Sequence, residues 1–492
     1  MIKIQTKVVK NQPNFWSGCV FHPTDAVEDA WGGRILDRMA EDGAINTVRV
    51  YAMLEDIVYL DEEGGLCYDF RTNDLRLDYL VECGYDLVIA LAGIPSCISY
   101  SEYGSTTVAK GKTRYKGKMW NTNAPRDYSL WEEICYEYVK HITHRYGDRV
   151  VDRWRIHCFN EPDMPMFWLS GITDLQDKRR VEEYLKLYEA FVRGVRRASK
   201  DVRMGGPALA VLNSFLEQFL LGVKERGLEI NYIALHFYGT DPEYLNSGEQ
   251  TISVDFMKKR LESRLSVVRK CGFADTPIVI DEWGACSHGF YNIDECPQMI
   301  FRETEVYPAY FIRFIDELIN IDANIEGLMI CLSGQHEQVR DFSGFRNFFS
   351  LNFIAKPIYN AYVLTSKLHG MLLGAECECP DVNVIPTRSE EGEYAIALCY
   401  AGVNFEEDMP DRVDEIVIDE DISGKTVTVW CIDRHTANPY RVYQKMGVDV
   451  PSPDELRVLR EEGRLKPVME QSGSEPIRIN MTANSTYLIT VK

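Results

Sequence analysis

The feature that most constrains the fold is an alternation of short apolar runs with longer helical stretches over residues 11–370. The runs that read as strands are 15–21, 45–51, 85–92, 152–159, 202–206, 232–238, 276–281 and 325–333. Between them lie amphipathic stretches such as 181–200, in which apolar residues recur at the spacing of one helical face. Eight strand–helix units predict an α/β fold, a (β/α)8 TIM barrel. The alternative is a doubly wound open sheet, which would usually carry a glycine-rich turn after its first strand, and the sequence has none there.

The pattern of the chain changes after residue 370. Short alternating runs bounded by turn residues, such as 393–402 and 425–433, predict an antiparallel β-sandwich accessory domain over residues 371–492. Residues 1–10 also alternate and could add a strand to this sandwich. Residues 450–465 are typical of a short helix within a loop, with Ser452 or Asp454 as its N-cap.

The charge balance and the cysteines narrow the class of function. The formal net charge is −21, which argues against binding to a nucleic acid backbone or to an anionic membrane. The chain begins without the apolar core of a secretory signal, and it contains no run of about 18 apolar residues. The fourteen cysteines are scattered, and many lie inside apolar runs. We therefore expect free thiols and a cytoplasmic location.

Two glutamates stand at strand ends, where a barrel carries its reacting groups. Glu161 follows the fourth strand in Phe-Asn-Glu-Pro, and Glu282 ends the seventh in Asp-Glu-Trp-Gly. A glycosidase needs two such carboxyl groups, because one protonates the leaving oxygen and the other attacks or stabilises the anomeric carbon. Asn160 offers an amide suited to a sugar 2-hydroxyl, and Pro162 is expected to keep Glu161 extended. A lone glutamate at a strand end is usually solvated, so the evidence lies in the pair.

Longer segments resemble glycoside hydrolase family 39 across most of residues 15–370. In family order these segments are 125–168 around the acid/base, 184–208, 235–239, 277–284 around the nucleophile, and 348–362. The resemblance implies a retaining, exo-acting enzyme that cleaves short oligosaccharides, with β-xylosidase as the leading activity. The alternatives are an α-L-iduronidase-like, β-glucosidase-like or arabinosidase-like enzyme, or a non-catalytic sugar-binding barrel. Some family members assemble, so a homo-oligomer is left open.

Carried over position by position, the resemblance assigns Glu161 as the general acid/base and Glu282 as the nucleophile. Their carboxyl groups should then lie about 5–5.5 Å apart. At rest Glu161 should be protonated and Glu282 ionised, because the negative charge of Glu282 raises the proton affinity of Glu161. Tyr238 matches the residue that orients the nucleophile, with His236 two residues earlier on the same face. Arg49 matches an arginine near the nucleophile.

Several sugar-contact positions depart from the family pattern. Tyr51 stands where the family usually has histidine, Phe159 where it has tryptophan, and Ile330 or Cys331 where the eighth strand usually presents tryptophan. These departures leave the identity of the sugar open. Further candidates for stacking on the sugar or binding its hydroxyls are Trp120, Trp168, Trp283 and His336. No metal-binding signature appears, so we expect no metal. The sequence has no Walker loop or other cofactor motif, so we expect no cofactor.

Overall fold

The structure is a computed structural model. It describes residues 1–21, 30–100, 121, 123–164, 172, 174–287, 292–332, 338 and 340–492. The strands in chain order are β1 (Ile2–Gln12), β2 (Gly18–Val20), β3 (Thr47–Tyr51), β4 (Val58–Leu60), β5 (Leu66–Tyr68), β6 (Asp86–Leu91), β7 (Arg155–Cys158), β8 (Arg203–Leu209), β9 (Tyr232–Thr240), β10 (Ile278–Cys286), β11 (Ile325–Cys331), β12 (Gly370–Cys377), β13 (Val382–Arg388), β14 (Tyr394–Tyr400), β15 (Arg412–Ile418), β16 (Thr426–Ile432), β17 (Pro467–Ser472), β18 (Ile477–Met481) and β19 (Ser485–Val491).

The described α-helices are α1 (Ala30–Glu41), α2 (Arg71–Glu82), α3 (Tyr128–Tyr146), α4 (Asp148–Val151), α5 (Lys178–Ala198), α6 (Asn213–Arg226), α7 (Pro242–Ser247), α8 (Val254–Lys270), α9 (Val306–Asn320), α10 (Pro357–Thr365), α11 (Pro439–Met446) and α12 (Pro453–Glu462). None of these described helices combines the length and the apolar character that a membrane crossing needs.

A closed parallel barrel forms the centre of the molecule. Its strands follow one another as β2, β3, β6, β7, β8, β9, β10 and β11, and the last pairs with the first. The predicted (β/α)8 barrel is therefore confirmed, and each strand overlaps its predicted run. The carboxyl ends of all eight strands lie at one mouth, which is where such a fold builds its site.

The helices cover the barrel as the apolar spacing predicted. In α5 the side chains of Tyr184, Tyr188 and Phe191 are fully buried, and the Tyr188 ring meets Phe219 of α6 edge-on at 5.1 Å. Helices α3 and α5 approach closely at Gly194, where an added β-carbon would lie 2.3 Å from the carbonyl oxygen of Glu132. Only glycine fits this crossing, because the obstacle is backbone.

The second sheet has nine strands in the order β17-β16-β19-β14-β13-β12-β1-β15-β18. Neighbours are antiparallel except β1 and β15, which run parallel. The sheet curls around its own core, because Val427 of β16 near one edge and Ile477 of β18 at the other belong to the same buried cluster. This agrees with the predicted sandwich, and β1 lies between β12 and β15.

The helical pair α11 and α12, inserted between β16 and β17, packs against the loop that follows β11. The rings of Tyr440 and Tyr443 lie 5.7 and 5.0 Å from the ring of Phe342. Ser452 caps α12 in a capping box with Glu455, which confirms the predicted helix and one of its two proposed caps. The inserted pair thereby supports a loop at the mouth of the barrel from outside.

Candidate active site

The structure brings Glu161 and Glu282 into one pocket at the barrel mouth. One side-chain atom from each of Glu161, His236 and Glu282 lies within 4.8 Å of the others. The Glu161 and Glu282 side chains are 13% and 10% exposed to solvent, whereas the His236 side chain between them is fully buried. Both carboxyl groups therefore reach the opening, and the histidine forms part of the floor.

The backbone after β7 turns sharply to place Glu161. Phe159 and Glu161 have φ angles of 65° and 46°, so the prediction that Pro162 keeps Glu161 extended is wrong. Tertiary hydrogen bonds override the local preference, since the N–H of Glu161 donates to the carbonyl of Ala208 at 2.9 Å. Fully buried Asp163 then accepts from three consecutive N–H groups, 210–212, at 2.7–3.0 Å. The loops after β7 and β8 are thus tied together.

A bulge in β10 places two consecutive acidic side chains inside the barrel. In the pairing with β9, Ile280 lies opposite Leu235, but Glu282 lies opposite His236. Strict alternation would put Asp281 and Glu282 on opposite faces, and a bulge removes that restriction. Both carboxylates consequently reach the same arginine. The sequence pattern did not identify Asp281 as a site residue, because a regular strand would point it away from Glu282.

Arg49 of β3 is the fully buried centre of the site. Its Nη1 donates to Glu282 Oε1 at 2.8 Å, and its Nη2 donates to Asn160 Oδ1 at 2.7 Å. Its Nε lies 2.9 Å from Asp281 Oδ2. A planar guanidinium can hold several acceptors in fixed directions. Arg49 therefore fixes Glu282 and Asn160 relative to each other.

Glu282 receives hydrogen bonds on both oxygens. Tyr51 donates to Oε1 at 3.1 Å, in addition to Arg49, and Tyr238 donates to Oε2 at 2.8 Å. Burial opposes its negative charge, but the positive charges of His236 and Arg49 outweigh burial and lower the pKa of Glu282. The carboxylate is thus ionised and oriented before any substrate arrives.

The surroundings of Glu161 shift its pKa in the opposite direction. Burial is the largest effect on it and raises the pKa of Glu161, and the negative charge of Glu282 adds to this. His236 acts against the shift, since its Nδ1 lies 2.7 Å from Glu161 Oε1. Two neighbouring carboxyl groups with pKa values moved apart are typical of an acid paired with a nucleophile.

Two buried histidines near Asp281 have opposite charge states. For His236, burial alone would lower the pKa, but Glu282 and Asp281 outweigh burial and raise the pKa of His236 to about 10. For His157, burial lowers the pKa to about 3, with Arg49 adding to the effect while Asp281 opposes it. His236 is therefore a cation that can donate to Glu161, and His157 is neutral.

Arg346 reaches the site from the loop after β11. Its Cζ lies 5.2 Å from the centre of the Tyr238 ring, and only 7% of the residue is exposed. Its positive charge contributes to the lowered pKa of Glu282, after the contributions of burial, His236 and Arg49. No motif in the sequence identified Arg346, because it enters the site through a long loop.

A cation could in principle be held by Glu161, His236 and Glu282, the cluster of potential metal ligands found in the described part of the chain. Two carboxylates and one imidazole are suitable ligands for a divalent metal. The charges around them oppose such binding, because His236 is protonated and Arg49 is bonded to Glu282. The arrangement fits proton transfer and nucleophilic attack better.

Comparison with known proteins identifies the family. The profile of the family described as "Glycosyl hydrolases family 39" matches residues 1–482. The chain belongs to glycoside hydrolase family 39. It is a glycoside hydrolase, as the paired glutamates predicted.

Individual relatives of the family 39 enzyme are distant. A protein named beta-xylosidase from Caldicellulosiruptor saccharolyticus is 24% identical over 445 residues, which is 88% of this chain and 85% of that one. An alpha-L-iduronidase from Canis lupus familiaris is 26% identical over 253 residues, 49% of this chain and 33% of that one. A solved monomeric beta-xylosidase from Caulobacter crescentus has the same fold, with a TM-score of 0.83 at 18% identity over 100% and 99% of the two chains.

Within the family 39 site, the predicted residues divide into three groups. Glu161, Glu282, Asn160, Arg49, Tyr51, His236 and Tyr238 converge on one pocket. Trp283 does not: it is fully buried, donates to Tyr362 at 3.2 Å and stacks on Phe311. The prediction that Trp283 contacts sugar is wrong, because its side chain points toward the helices. Trp120, Trp168 and His336 lie outside the described residues.

Proposed function

We propose that this family 39 enzyme is a retaining, exo-acting β-xylosidase that acts on short oligosaccharides. The observation that carries the proposal is the pair Glu161 and Glu282, close together in one pocket with pKa values shifted in opposite directions. A retaining mechanism needs a protonated acid and an ionised nucleophile at short range. An inverting enzyme would need room for a water molecule between wider-spaced carboxyl groups.

In the first step, Glu161 gives its proton to the glycosidic oxygen while Glu282 attacks the anomeric carbon. The bond to the leaving group breaks, and a covalent glycosyl–Glu282 ester forms. His236 orients the acid, because a protonated Nδ1 donates to Glu161 Oε1. The acidic proton of Glu161 is then carried on the other oxygen, Oε2.

In the second step, Glu161 acts as the base. Esterification removes the negative charge of Glu282, so the proton affinity of Glu161 falls. Glu161 now takes a proton from water as the water attacks the anomeric carbon, and Glu282 leaves as a carboxylate. Arg49, Tyr51 and Tyr238 stabilise that carboxylate. The sugar is released with its original configuration.

Asn160 is proposed to bind the sugar 2-hydroxyl. Its Oδ1 already accepts from Arg49 at 2.7 Å, so the amide NH2 is the group that remains for a substrate oxygen. A hydrogen bond at this position strengthens as charge develops in the transition state. The choice of xylose is supported by the names of two relatives, the beta-xylosidases of Caldicellulosiruptor saccharolyticus and Geobacillus stearothermophilus.

The test is a panel of aryl β-xylosides, β-glucosides, α-arabinosides and glycuronides, with the product anomer followed by NMR. We expect the xyloside to be the best substrate and the first product to be the β-anomer. Glu282→Ala should lower turnover by several orders of magnitude. Glu326→Gln is a control, because Glu326 pairs with Arg155 and Arg203 at the other end of the barrel. An α-anomer as the first product from the β-xyloside would refute retention. A β-xyloside that is cleaved less efficiently than another glycoside of the panel would refute the choice of sugar.

We also propose that the enzyme works in the cytoplasm. All fourteen cysteines lie in described parts of the chain, and each is a free thiol, as suits a reducing compartment. The enzyme isolated without reductant is alkylated in denaturant, so that the buried thiols are exposed, and mass spectrometry should then find every cysteine modified. A cysteine pair protected as a disulfide would contradict this location.

A further inference from the structure

We propose that Arg346 is a positioning residue of this glycosidase: it acts on the nucleophile Glu282 through Tyr238, whose ring it contacts. The inference rests on the proposed function, and it concerns a residue that no sequence motif identifies. Arg346 does not have to touch the substrate in this role. It fixes a hydrogen-bond donor of the nucleophile and adds a positive charge beside it.

The contacts form a chain from Arg346 to Glu282. The Arg346 guanidinium lies over the Tyr238 ring, with its Cζ 5.2 Å from the ring centre. The Tyr238 hydroxyl in turn donates to Glu282 Oε2 at 2.8 Å. A cation over an aromatic ring is attracted to the ring face. Arg346 therefore holds the Tyr238 ring in the position from which its hydroxyl group donates to Glu282.

The backbone just before Arg346 is held by buried charges. Glu303 Oε1 accepts from the N–H of Gly344 at 2.7 Å and from Lys356 Nζ at 2.6 Å. Lys356 also donates to the carbonyl of Phe345 at 3.2 Å, and Arg302 to that of Gly344 at 3.0 Å. Burying charges costs several kcal/mol per ion unless their partners are well placed. Here the buried charges fix two successive residues, so that Arg346 enters the pocket in one direction.

Glu282 is faced by ionisable groups from several elements. The cations are Arg49 from β3, His236 from β9 and Arg346 from the loop after β11. The acids are Glu161, Asp281, Tyr51, Tyr238 and Cys331. Arg49 donates a hydrogen bond directly to Glu282 Oε1, and His236 is also hydrogen-bonded to Glu161. His236 Nδ1 lies 3.5 Å from Oε2, and Arg346 is a second cation on this side of Glu282, connected to Oε2 through Tyr238.

The test compares Arg346→Met, Arg346→Lys, Tyr238→Phe and the double variant Tyr238→Phe/Arg346→Met on the best aryl glycoside. One hydrogen bond to a charged group corresponds to about 10- to 150-fold in kcat/KM, and we expect Tyr238→Phe to fall in this range. The kcat/KM of Arg346→Met should fall by no more than that of Tyr238→Phe. The kcat/KM of Arg346→Lys should lie between those of Arg346→Met and the wild type. Because a cation is removed near Glu282, the acidic limb of the kcat/KM profile should move to higher pH.

The double variant separates a positioning role from an independent one. If Arg346 acts through Tyr238, the double variant should lose little more than Tyr238→Phe alone. Arg264→Met is the control, since this arginine at the barrel mouth donates to the carbonyls of Ala210 and Val211. The acidic limb of the kcat/KM profile of Arg264→Met should match that of the wild type.

Additive losses of kcat/KM in the double variant, or an unchanged acidic limb in Arg346→Met, would overturn the inference. If the Arg346 variants lose kcat/KM only on glycuronides, the inference is also overturned, because Arg346 would then bind an anionic group of the substrate. If the wild type cleaves no glycoside of the panel, it is the proposed function that fails. Thermal unfolding of each variant identifies any loss that comes from misfolding.

Discussion

His236 is predicted to carry a positive charge throughout the neutral pH range, and its replacement by asparagine tests this. The imidazole is fully buried, with Nδ1 2.7 Å from Glu161 and 3.5 Å from Glu282 Oε2, and Nε2 3.7 Å from Asp281. Burial opposes the charge, but Glu282 and Asp281 raise the pKa of His236 from 6.5 to about 10. Asparagine can still donate one hydrogen bond to Glu161, but it carries no charge.

The size of the effect follows from the two pKa values. Each pKa unit corresponds to about 1.4 kcal/mol, so the shift from 6.5 to about 10 stabilises the folded state by about 5 kcal/mol. Because the folded pKa is the higher one, this stability is fully present below pH 6.5 and is lost as the pH rises through 10. For 492 residues the unfolding entropy is about 1 kcal/mol/K, so 5 kcal/mol corresponds to about 5 °C.

The first assay compares thermal midpoints of the wild type and His236→Asn from pH 6 to pH 10. The difference between the thermal midpoints of the wild type and the variant should shrink by about 5 °C as the pH rises from 6 to 10. The second assay is NMR titration of the nine histidines, with His236 assigned by its absence in the variant. His157, whose pKa is lowered to about 3, is the internal control and should stay neutral. Parallel stability profiles, or a His236 signal that titrates below pH 7, would refute the reasoning.

The remaining predictions address catalysis, buried charge and helix packing. Glu161→Gln should lower kcat/KM by about 10²- to 10⁴-fold for poor leaving groups and much less for activated aryl xylosides; a uniform loss across such a series would argue against Glu161 as the acid. Lys356→Met leaves Glu303 buried without its partner, which should cost about 3–5 kcal/mol and lower the thermal midpoint; an unchanged midpoint contradicts this. Gly194→Ala should destabilise the enzyme because its β-carbon meets backbone, while Gly424→Ala, where nothing lies within 4 Å, should not; equal midpoints would show that α3 and α5 can move apart.

Much of the fold could be predicted because its signals are local. The eight barrel strands and the helical face of α5 follow from apolar spacing within a few residues. The capping box at Ser452 follows from four neighbouring residues. The two glutamates could be found because strand order alone places them at the barrel mouth.

Other features escaped prediction because tertiary contacts decide them. Glu161 adopts a φ of 46° although a proline follows it, since its N–H is bonded to the neighbouring strand. Asp281 joins the site only because β10 has a bulge. Trp283 was expected at the pocket but faces the helices. For Glu161 the local preference is weak compared with the cost of leaving a buried polar group unpaired.

The sequence by itself determined which residues form strands and helices, and therefore that two glutamates stand at the mouth of a barrel. Periodicity and turn residues act over short stretches of chain, so one sequence is enough to read them. Only the tertiary structure decided the charges of the site: His236 is protonated and His157 neutral, and Arg346 arrives beside Tyr238. Proton affinity depends on burial and on charges a few ångströms away, and those neighbours come from distant parts of the chain.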